Sequence, residues 1–310
     1  MVGHGALRGA LLSVAAVAQK PLQAIGLMVA AVFFMSTMDV LFKLLVEHYS
    51  SFQVVFFRCA ASLPYFVAWI LLTGRGQFRT AYPRGHLLRG LLGLLMMFAV
   101  GECFRELQLA DAYTLFFVAP LLITLLSGPV LGERAGRFRI MASLLGFSGV
   151  LVVLKPGGEQ INTYGALMAL IAVLSYAVSA LLLRKLGARD GTVTIAFWFL
   201  AICGIGSALV AIPNWQPVAP GHWPLILLFG LLGAIGQVLL TAAFRRASAA
   251  IIAPFDYLHM FWAVIYGLAF WGYLPGPRVW AGSSIIILSG LFILYRENRL
   301  RLRQLQLNQK

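Results

Sequence analysis

Charged residues are scarce in this sequence. Asp, Glu, Lys and Arg make up 11% of its 310 residues, whereas soluble proteins carry about 25%. Acidic residues are the scarcest, at 10 against 24 Lys and Arg. So few charges cannot cover the surface of a water-soluble globule of this size, which excludes that class of protein. The hydrophobic share of 61% and the mean hydropathy of +0.88 instead predict an integral membrane protein.

Motifs of catalysis and of cofactor binding are also missing. The sequence has no GxxxxGK[ST] phosphate loop, no HExxH pair and no GxSxG turn. Its three cysteines, Cys59, Cys103 and Cys203, lie far apart within apolar runs, so we expect free buried thiols and no metal site. We therefore predict that the protein is not an enzyme and needs no cofactor.

Ten apolar runs are long enough to cross a bilayer as helices, because a span needs roughly 17–25 residues. Short links that contain Gly, Pro and charge separate the runs. We predict an all-α integral membrane protein with ten transmembrane helices at residues 22–46, 52–73, 87–107, 111–130, 138–154, 163–184, 191–212, 222–244, 249–271 and 277–295.

Lys and Arg are distributed unevenly over the links. If the N-terminus is cytoplasmic, nineteen of the 24 fall in the tails and the cytoplasmic links, and the outer links hold only Arg105, Lys155 and Arg278. Arg89, near the start of the third run, is counted with the cytoplasmic group. The asymmetry predicts that both termini are cytoplasmic. It also accounts for the net charge of +14 without a nucleic-acid partner.

The two halves of the chain share features at an offset of about 140 residues. A Phe-Arg pair precedes spans four and nine, at residues 104–105 and 244–245, and a Ser-Gly pair lies in spans five and ten, at residues 148–149 and 289–290. Five spans are an odd number, so a second copy must be inverted in the membrane, as in many transporters. We predict a tail at 1–21, repeats at 22–154 and 163–295, and a basic tail at 296–310.

Charged residues inside apolar runs are the first candidates for function, because each costs about 2.5–3.5 kcal/mol to insert. Asp39 and Arg58 lie equally far from the turn that joins spans one and two, which places them at one depth. They are candidates for a structural ion pair between the helices, and the alternative is a role in binding substrate or protons. Lys43 lies near the outer end of span one, where we expect it to extend to water.

Asp256 and His259 are the corresponding candidates in the second half. Their i,i+3 spacing puts them on one helical face, and Pro254 can kink the helix beside them. They can line a cavity, bind substrate or relay protons, or they can be a hydrogen-bonded pair packed between helices. Tyr113, Tyr176 and Tyr257 are candidates for stacking on a planar ligand, although aromatic side chains also serve in packing.

Three further groups have structural interpretations. Glu102 and Arg105 have the spacing of a pair near the outer surface. Asp111 begins span four, where a carboxylate suits a helix N-terminus. Glycines in spans five and eight are expected to allow close helix contacts; they are Gly146, Gly149, Gly230, Gly233 and Gly236.

Several motifs together resemble the drug/metabolite transporter (DMT) superfamily, EamA type. They are FMSTMDVLFKLL in span one, LADAYTLFFVAPLLITLLS and LGER around span four, GFSGVLVVLKPG in span five and APFDYLHMFWAVIYG in span nine. The APFDY stretch resembles most a subgroup of S-adenosylmethionine and riboflavin uptake carriers. The family often has Glu after the Gly that ends span nine, where this sequence has Tyr273, which puts a symmetric role for that Glu in doubt.

The resemblance implies a secondary transporter in the bacterial inner (cytoplasmic) membrane that moves a small polar or zwitterionic metabolite by alternating access. An S-adenosylmethionine- or riboflavin-like compound is the expected substrate, with protons as one candidate coupling ion and a homodimer left open. The alternatives are an exporter of amino-acid-derived metabolites, including metallophores, and a lipid-linked flippase. A membrane-embedded enzyme would need a polar cluster at one interface, and the sequence offers none outside the links.

Overall fold

The computed structural model describes residues 21–74, 78–119, 121–123, 125–126, 137–154, 162–187, 189–246 and 253–308. Across these ranges the regular structure is entirely helical. It comprises ten α-helices, which are α1 (Pro21–Val46), α2 (Ser51–Thr73), α3 (Pro83–Glu106), α4 (Leu109–Phe116), α5 (Arg137–Leu154), α6 (Thr163–Gly187), α7 (Thr192–Ala211), α8 (Trp223–Arg246), α9 (Leu258–Trp271) and α10 (Pro277–Asn308).

Local sequence signals set several helix ends. The side chain of Ser50 accepts a hydrogen bond from the Gln53 amide at 3.3 Å and so caps the start of α2. Pro83 opens α3, where its missing N–H costs nothing. Gly272 ends α9 with a φ of +62°, a left-handed conformation that glycine adopts without strain. The predicted helix ends are therefore met within a few residues at these sites.

Six of the described helices are long and apolar enough to cross a membrane: Leu22–Val46, Ser51–Thr73, Pro83–Glu106, Thr163–Gly187, Thr192–Asn214 and Pro220–Phe244. A shorter apolar helical segment runs over Leu109–Ile123. The all-helical membrane class is thus confirmed, while the count of ten spans stays a prediction. Helix α10 continues to Asn308, so the predicted tail at 296–310 is not separated from the last span by a helix end. The tail at 1–20 and the LGER motif lie outside the described residues.

The helix bundle has two opposite faces, at which the helices begin and end. We call the end where α1 begins the proximal face and the end where α1 finishes the distal face. Helix α1 packs along α8, and α3 packs along α6; α2 lies against α7, α4 against α9 and α5 against α10. Every helix of 21–154 therefore has a partner in 163–308, and the space between these partners holds the candidate site.

Glycine allows the closest of these approaches, as the sequence predicted. A Cβ added at Gly230 in α8 would come within 2.6 Å of the Ala61 backbone in α2. One added at Gly149 in α5 would lie 2.7 Å from the Gly282 carbonyl oxygen in α10.

Large apolar side chains are exposed on the outer helix surfaces, among them Leu71, Leu144, Leu209, Phe270 and Leu288. Such a surface suits lipid rather than water.

Candidate substrate-binding site

A cavity of about 200 Å³ lies between the two groups of helices. Residues of α1, α2, α3, α4, α6, α7, α8 and α9 line it, together with the segments that follow α4 and precede α9. Six of the seven predicted site residues line this cavity, namely Asp39, Arg58, Tyr113, Tyr176, Asp256 and His259. The seventh, Tyr257, does not. The cavity is smaller than the roughly 300–1,000 Å³ typical of pockets for drug-sized ligands, which favours a small metabolite.

Asp39 belongs to a polar chain that joins the two halves. The Tyr113 hydroxyl donates a short hydrogen bond to the Asp39 carboxylate. The Tyr113 ring stacks on His259, with centroids 5.0 Å apart and planes 17° from parallel. Nδ1 of His259 is 2.7 Å from the hydroxyl of Ser36, one turn before Asp39 on α1. Helices α1, α4 and α9 are therefore linked through polar side chains at the cavity wall.

Asp39 and Arg58 do not form the direct ion pair that one prediction gave them. Both side chains are described, and no contact within 4.0 Å joins them. The carboxylate has Tyr113 as its direct partner instead. Whether the two charges stabilise the fold or bind a ligand stays a prediction.

The i,i+3 argument assumed that Asp256 and His259 lie on one continuous helix. The structure shows that they do not. Asp256 lies in the 3₁₀ segment Ala253–Tyr257, and α9 begins only at Leu258. Both residues still line the cavity. Tyr257 points elsewhere: its ring meets Phe117 edge-on at 5.1 Å, and its hydroxyl has no hydrogen-bond partner among the described residues. The packing interpretation therefore suits Tyr257 better than ligand stacking.

Arg89 is a cavity residue that the sequence analysis assigned to the cytoplasmic group. It is 5% exposed, lines the cavity from α3, and places its guanidinium 4.3 Å from the centroid of the Phe199 ring. The signal that could have located it is its position well inside α3, six residues after Pro83. Because every Arg near a link was counted as solvent-exposed, the burial of Arg89 was not predicted.

Lys43 does not extend to water, which corrects the prediction for it. It is 5% exposed, and its Nζ donates hydrogen bonds to the carbonyl oxygens of Phe104 at 2.5 Å and Leu107 at 2.8 Å. These carbonyls belong to the C-terminal end of α3, where the helix dipole favours a cation. Nζ also lies 5.6 Å from the centroid of the Trp271 ring. Lys43 thus ties α1 to the distal end of α3.

Further hydrogen bonds cross the distal face. The Tyr273 hydroxyl donates to both carboxylate oxygens of Asp111, at 2.8 and 3.0 Å. Asp111 is in the first turn of α4, as predicted, but its direct partner is a tyrosine of the other half. The predicted pair of Glu102 and Arg105 is confirmed at 3.7 Å. Tyr273 therefore serves as a hydrogen-bond donor between the two halves.

Two more contacts join the halves at this face. The hydroxyl of Tyr49 lies 2.8 Å from Nδ1 of His222, and the side chain of Gln53 exchanges two hydrogen bonds with the backbone of Gln216. All these contacts join residues at or near the distal ends of their helices, so they hold the two halves together at the distal face.

One described cluster joins the halves at the proximal face. Asp190, between α6 and α7, accepts hydrogen bonds from the Thr80 hydroxyl at 2.6 Å and the Ala81 amide at 3.1 Å, and lies 2.8 Å from Nε2 of His86. Burial alone would raise the pKa of Asp190, but the hydrogen bonds from Thr80, His86 and Ala81 outweigh it. They hold that pKa below its ordinary value.

Comparison with known proteins identifies the family. The profile of the EamA-like transporter family matches residues 22–155 and again residues 163–295. The chain belongs to the EamA-like transporter family. This assignment confirms the resemblance seen in the motifs. Within the described residues of this EamA-type transporter, no group of three or more His, Cys, Asp or Glu side chains could hold a metal ion.

Curated relatives of this transporter carry different substrate names. A riboflavin transporter from Rhizobium johnstonii is 30% identical over 81% of this chain and 83% of the relative. A pseudopaline exporter, CntI, from Pseudomonas aeruginosa is 31% identical over 85% and 93%, and an S-adenosylmethionine uptake transporter from Rickettsia conorii is 29% identical over 85% and 90%. A chain of known crystal structure has the same fold, with a TM-score of 0.66, 20% identity and coverage of 89% of this chain and 98% of that one.

These relatives are transporters rather than enzymes, and they fit a multi-pass membrane protein that carries small molecules. Their names include uptake carriers and an exporter, so neither direction nor substrate follows from them.

Proposed function

We propose that this transporter is a secondary carrier that moves a small polar or zwitterionic metabolite across the bacterial inner membrane by alternating access. The observation that carries the proposal is the cavity between the two groups of helices, because two aspartates, two arginines and a histidine line it. Charged side chains inside a membrane protein are costly and mark substrate or ion pathways. A cavity shared between two packed halves is the arrangement that alternating access requires.

We further propose that residues 22–154 and 163–295 are two inverted five-helix repeats. The packing supports this division. If α1–α5 exchange with α6–α10, then α1 against α8 becomes α6 against α3, and both contacts are present. The contacts of α2 with α7, α4 with α9 and α5 with α10 each map onto themselves. The family profile also matches the chain twice, once over each half.

The orientation follows from the charge asymmetry of the sequence. We propose that the proximal face is cytoplasmic and that both termini are on that side, because the basic links gather there. We further propose that in this orientation the distal hydrogen bonds close the cavity towards the outside. Asp256 and His259 at the cavity wall are the proposed proton-coupling residues.

The test is transport by the purified full chain in proteoliposomes. Radiolabelled S-adenosylmethionine, riboflavin and a panel of amino acids are offered in turn, with an outward or inward gradient. We expect at least one to accumulate, and Asp256→Asn to reduce that uptake while thermal unfolding of the protein is unchanged. If instead only a lipid-linked compound crosses the membrane, the flippase alternative replaces the metabolite carrier.

A further inference from the structure

Arg89 is a buried cation, and two of its three guanidinium nitrogens have no described hydrogen-bond partner. Its Nε and Nη1 have no hydrogen-bond partner among the described residues. Phe199 covers the guanidinium at 4.3 Å, but a ring face attracts the positive charge without accepting in-plane N–H bonds as a carboxylate does. No contact within 4.0 Å joins Arg89 to a carboxylate in the part of the chain that is described. Among the described residues, the Arg89 side chain therefore lacks an anionic partner.

Asp256 is the matching anion at the same level of the cavity. Arg89 lies about 25 Å from the distal end of α3, at 1.5 Å per residue. Asp256 lies about 24 Å from the distal end of α9, of which about 20 Å is α9 itself and about 4 Å is the 3₁₀ segment, at 2.0 Å per residue. Tyr176 lines the cavity together with both residues. No described contact within 4.0 Å joins Asp256 to an arginine, lysine or histidine.

Asp39 and Arg58 form a second level nearer the distal face, about 10 Å below the distal ends of α1 and α2. Here the carboxylate already has the Tyr113 hydroxyl as its partner. The two levels therefore differ, because within the described ranges only the proximal one leaves both its acid and its base without a direct charged or hydrogen-bonded partner. That level is the better receptor for a charged ligand.

We propose that the proximal level binds an amino-acid-type zwitterion, with the ligand carboxylate at Arg89 and its ammonium group at Asp256. This inference rests on the proposed carrier function and names its substrate class. A purely anionic ligand would meet Asp256, and a purely cationic one would meet Arg89. An uncharged ligand would leave both charges uncompensated in a low-dielectric cavity. A zwitterion satisfies both, and a planar guanidinium is well suited to a carboxylate.

The first experiment compares ligands on the unmodified protein. Proteoliposomes containing the full chain take up radiolabelled α-amino acids and S-adenosylmethionine. Competition is then measured with the primary amide of each amino acid, which lacks the carboxylate, and with decarboxylated S-adenosylmethionine. We expect a transported zwitterion, and competition weaker by about tenfold or more for its uncharged-carboxyl analogue. Riboflavin, which has neither a carboxylate nor an ammonium group, is expected not to compete.

The second experiment uses variants with a matched control. Arg89→Gln should weaken competition by the zwitterion about tenfold or more and leave the amide unaffected. Arg84→Gln, at an exposed arginine one and a half turns earlier on the same helix, should behave as the unmodified protein. Arg89→Lys keeps the positive charge, so it is the variant to measure if Arg89→Gln fails to fold. It should retain part of the preference for the zwitterion over its amide.

The outcomes separate this inference from the function on which it rests. If amides compete as well as the parent amino acids, or if riboflavin alone is carried, the zwitterion site is wrong while the carrier function stands. Equal losses for amide and zwitterion in Arg89→Gln also overturn it, because the arginine then has only a structural role. If no probe is transported, the carrier function fails and the inference fails with it.

Discussion

At the scale of single residues, the charges within the apolar runs have identifiable surroundings. Asp39 has the Tyr113 hydroxyl, and Lys43 has two carbonyls at the end of α3. Arg58 is 5% exposed, and its Nε has no partner among the described side chains. Lys43 therefore has a structural role, while Asp39 and Arg58 face the cavity.

The hydrogen bond between Tyr113 and Asp39 can be tested by removing one oxygen atom. Tyr113→Phe keeps the ring that stacks on His259 and deletes the donor to the carboxylate. Hydrogen bonds to charged groups contribute about 1.5–3 kcal/mol. We expect the free energy of unfolding to fall by about that amount, measured by denaturant unfolding of the purified protein in detergent.

Tyr257→Phe is the matched control, since Tyr257 is also a buried tyrosine but its hydroxyl has no described partner. Deleting an unpaired buried hydroxyl is expected to change stability little or to raise it. Equal losses in the two variants would mean that the Tyr113 hydroxyl contributes nothing specific.

The sequence could predict the depth of a side chain better than its direction. Equal distances from the turn placed Asp39 and Arg58 at one depth, and both do line the cavity. Nothing in the spacing says that Tyr113, 74 residues from Asp39, reaches its carboxylate first. Lys43 and Arg89 were misplaced for the same reason, because their burial depends on carbonyls and a ring that other helices contribute.

At the scale of helices, the apolar runs located the elements well where their ends carry a local signal. The least accurate prediction is span nine, expected as one helix from residue 249. The structure has a 3₁₀ segment at Ala253–Tyr257 and begins α9 at Leu258. Pro254 lacks the N–H that a helix interior needs. Because this stretch is mostly apolar, its composition did not predict the break. The break lies where Asp256 reaches the cavity wall.

Close helix packing at glycine gives a prediction for α2 and α8. Gly230→Ala would place a methyl carbon within 2.6 Å of the Ala61 backbone, so the two helices must move apart. Overpacking of this kind costs about 1–3 kcal/mol. We expect the midpoint of thermal unfolding in detergent to fall.

Gly26→Ala provides the comparison, because a Cβ there meets nothing within 4 Å. In a helix interior alanine is favoured over glycine by about 0.8–1.0 kcal/mol. That variant should be as stable as the unmodified protein or more so. A fall of the same size at both positions would show that helix approach at Gly230 is not the cause.

At the scale of the whole molecule, the two faces differ in how they are held. The distal face is crossed by Tyr273–Asp111, Tyr49–His222 and Gln53–Gln216. In alternating access these contacts must break when the cavity opens to the distal side, so each one stabilises the distal-closed state relative to the distal-open state. Weakening one of them should shift the population without changing the cavity.

Tyr273→Phe tests this directly, since it removes both hydrogen bonds to Asp111 and keeps the ring. A loss of about 1 kcal/mol corresponds to roughly a five-fold change in the ratio of the two states. Phe116, which lines the cavity, can be replaced by Phe116→Cys as a reporter for a membrane-impermeant maleimide added at the distal face. The native cysteines are buried and give the background rate.

We expect labelling of the Phe116→Cys reporter to be about five-fold faster in Tyr273→Phe. It should stay unchanged in Tyr65→Phe, whose tyrosine is 45% exposed on the outer surface. Identical rates in all three proteins would mean that the Tyr273–Asp111 contact does not hold the distal face closed, and closure would then depend on Lys43, Tyr49 and Gln53.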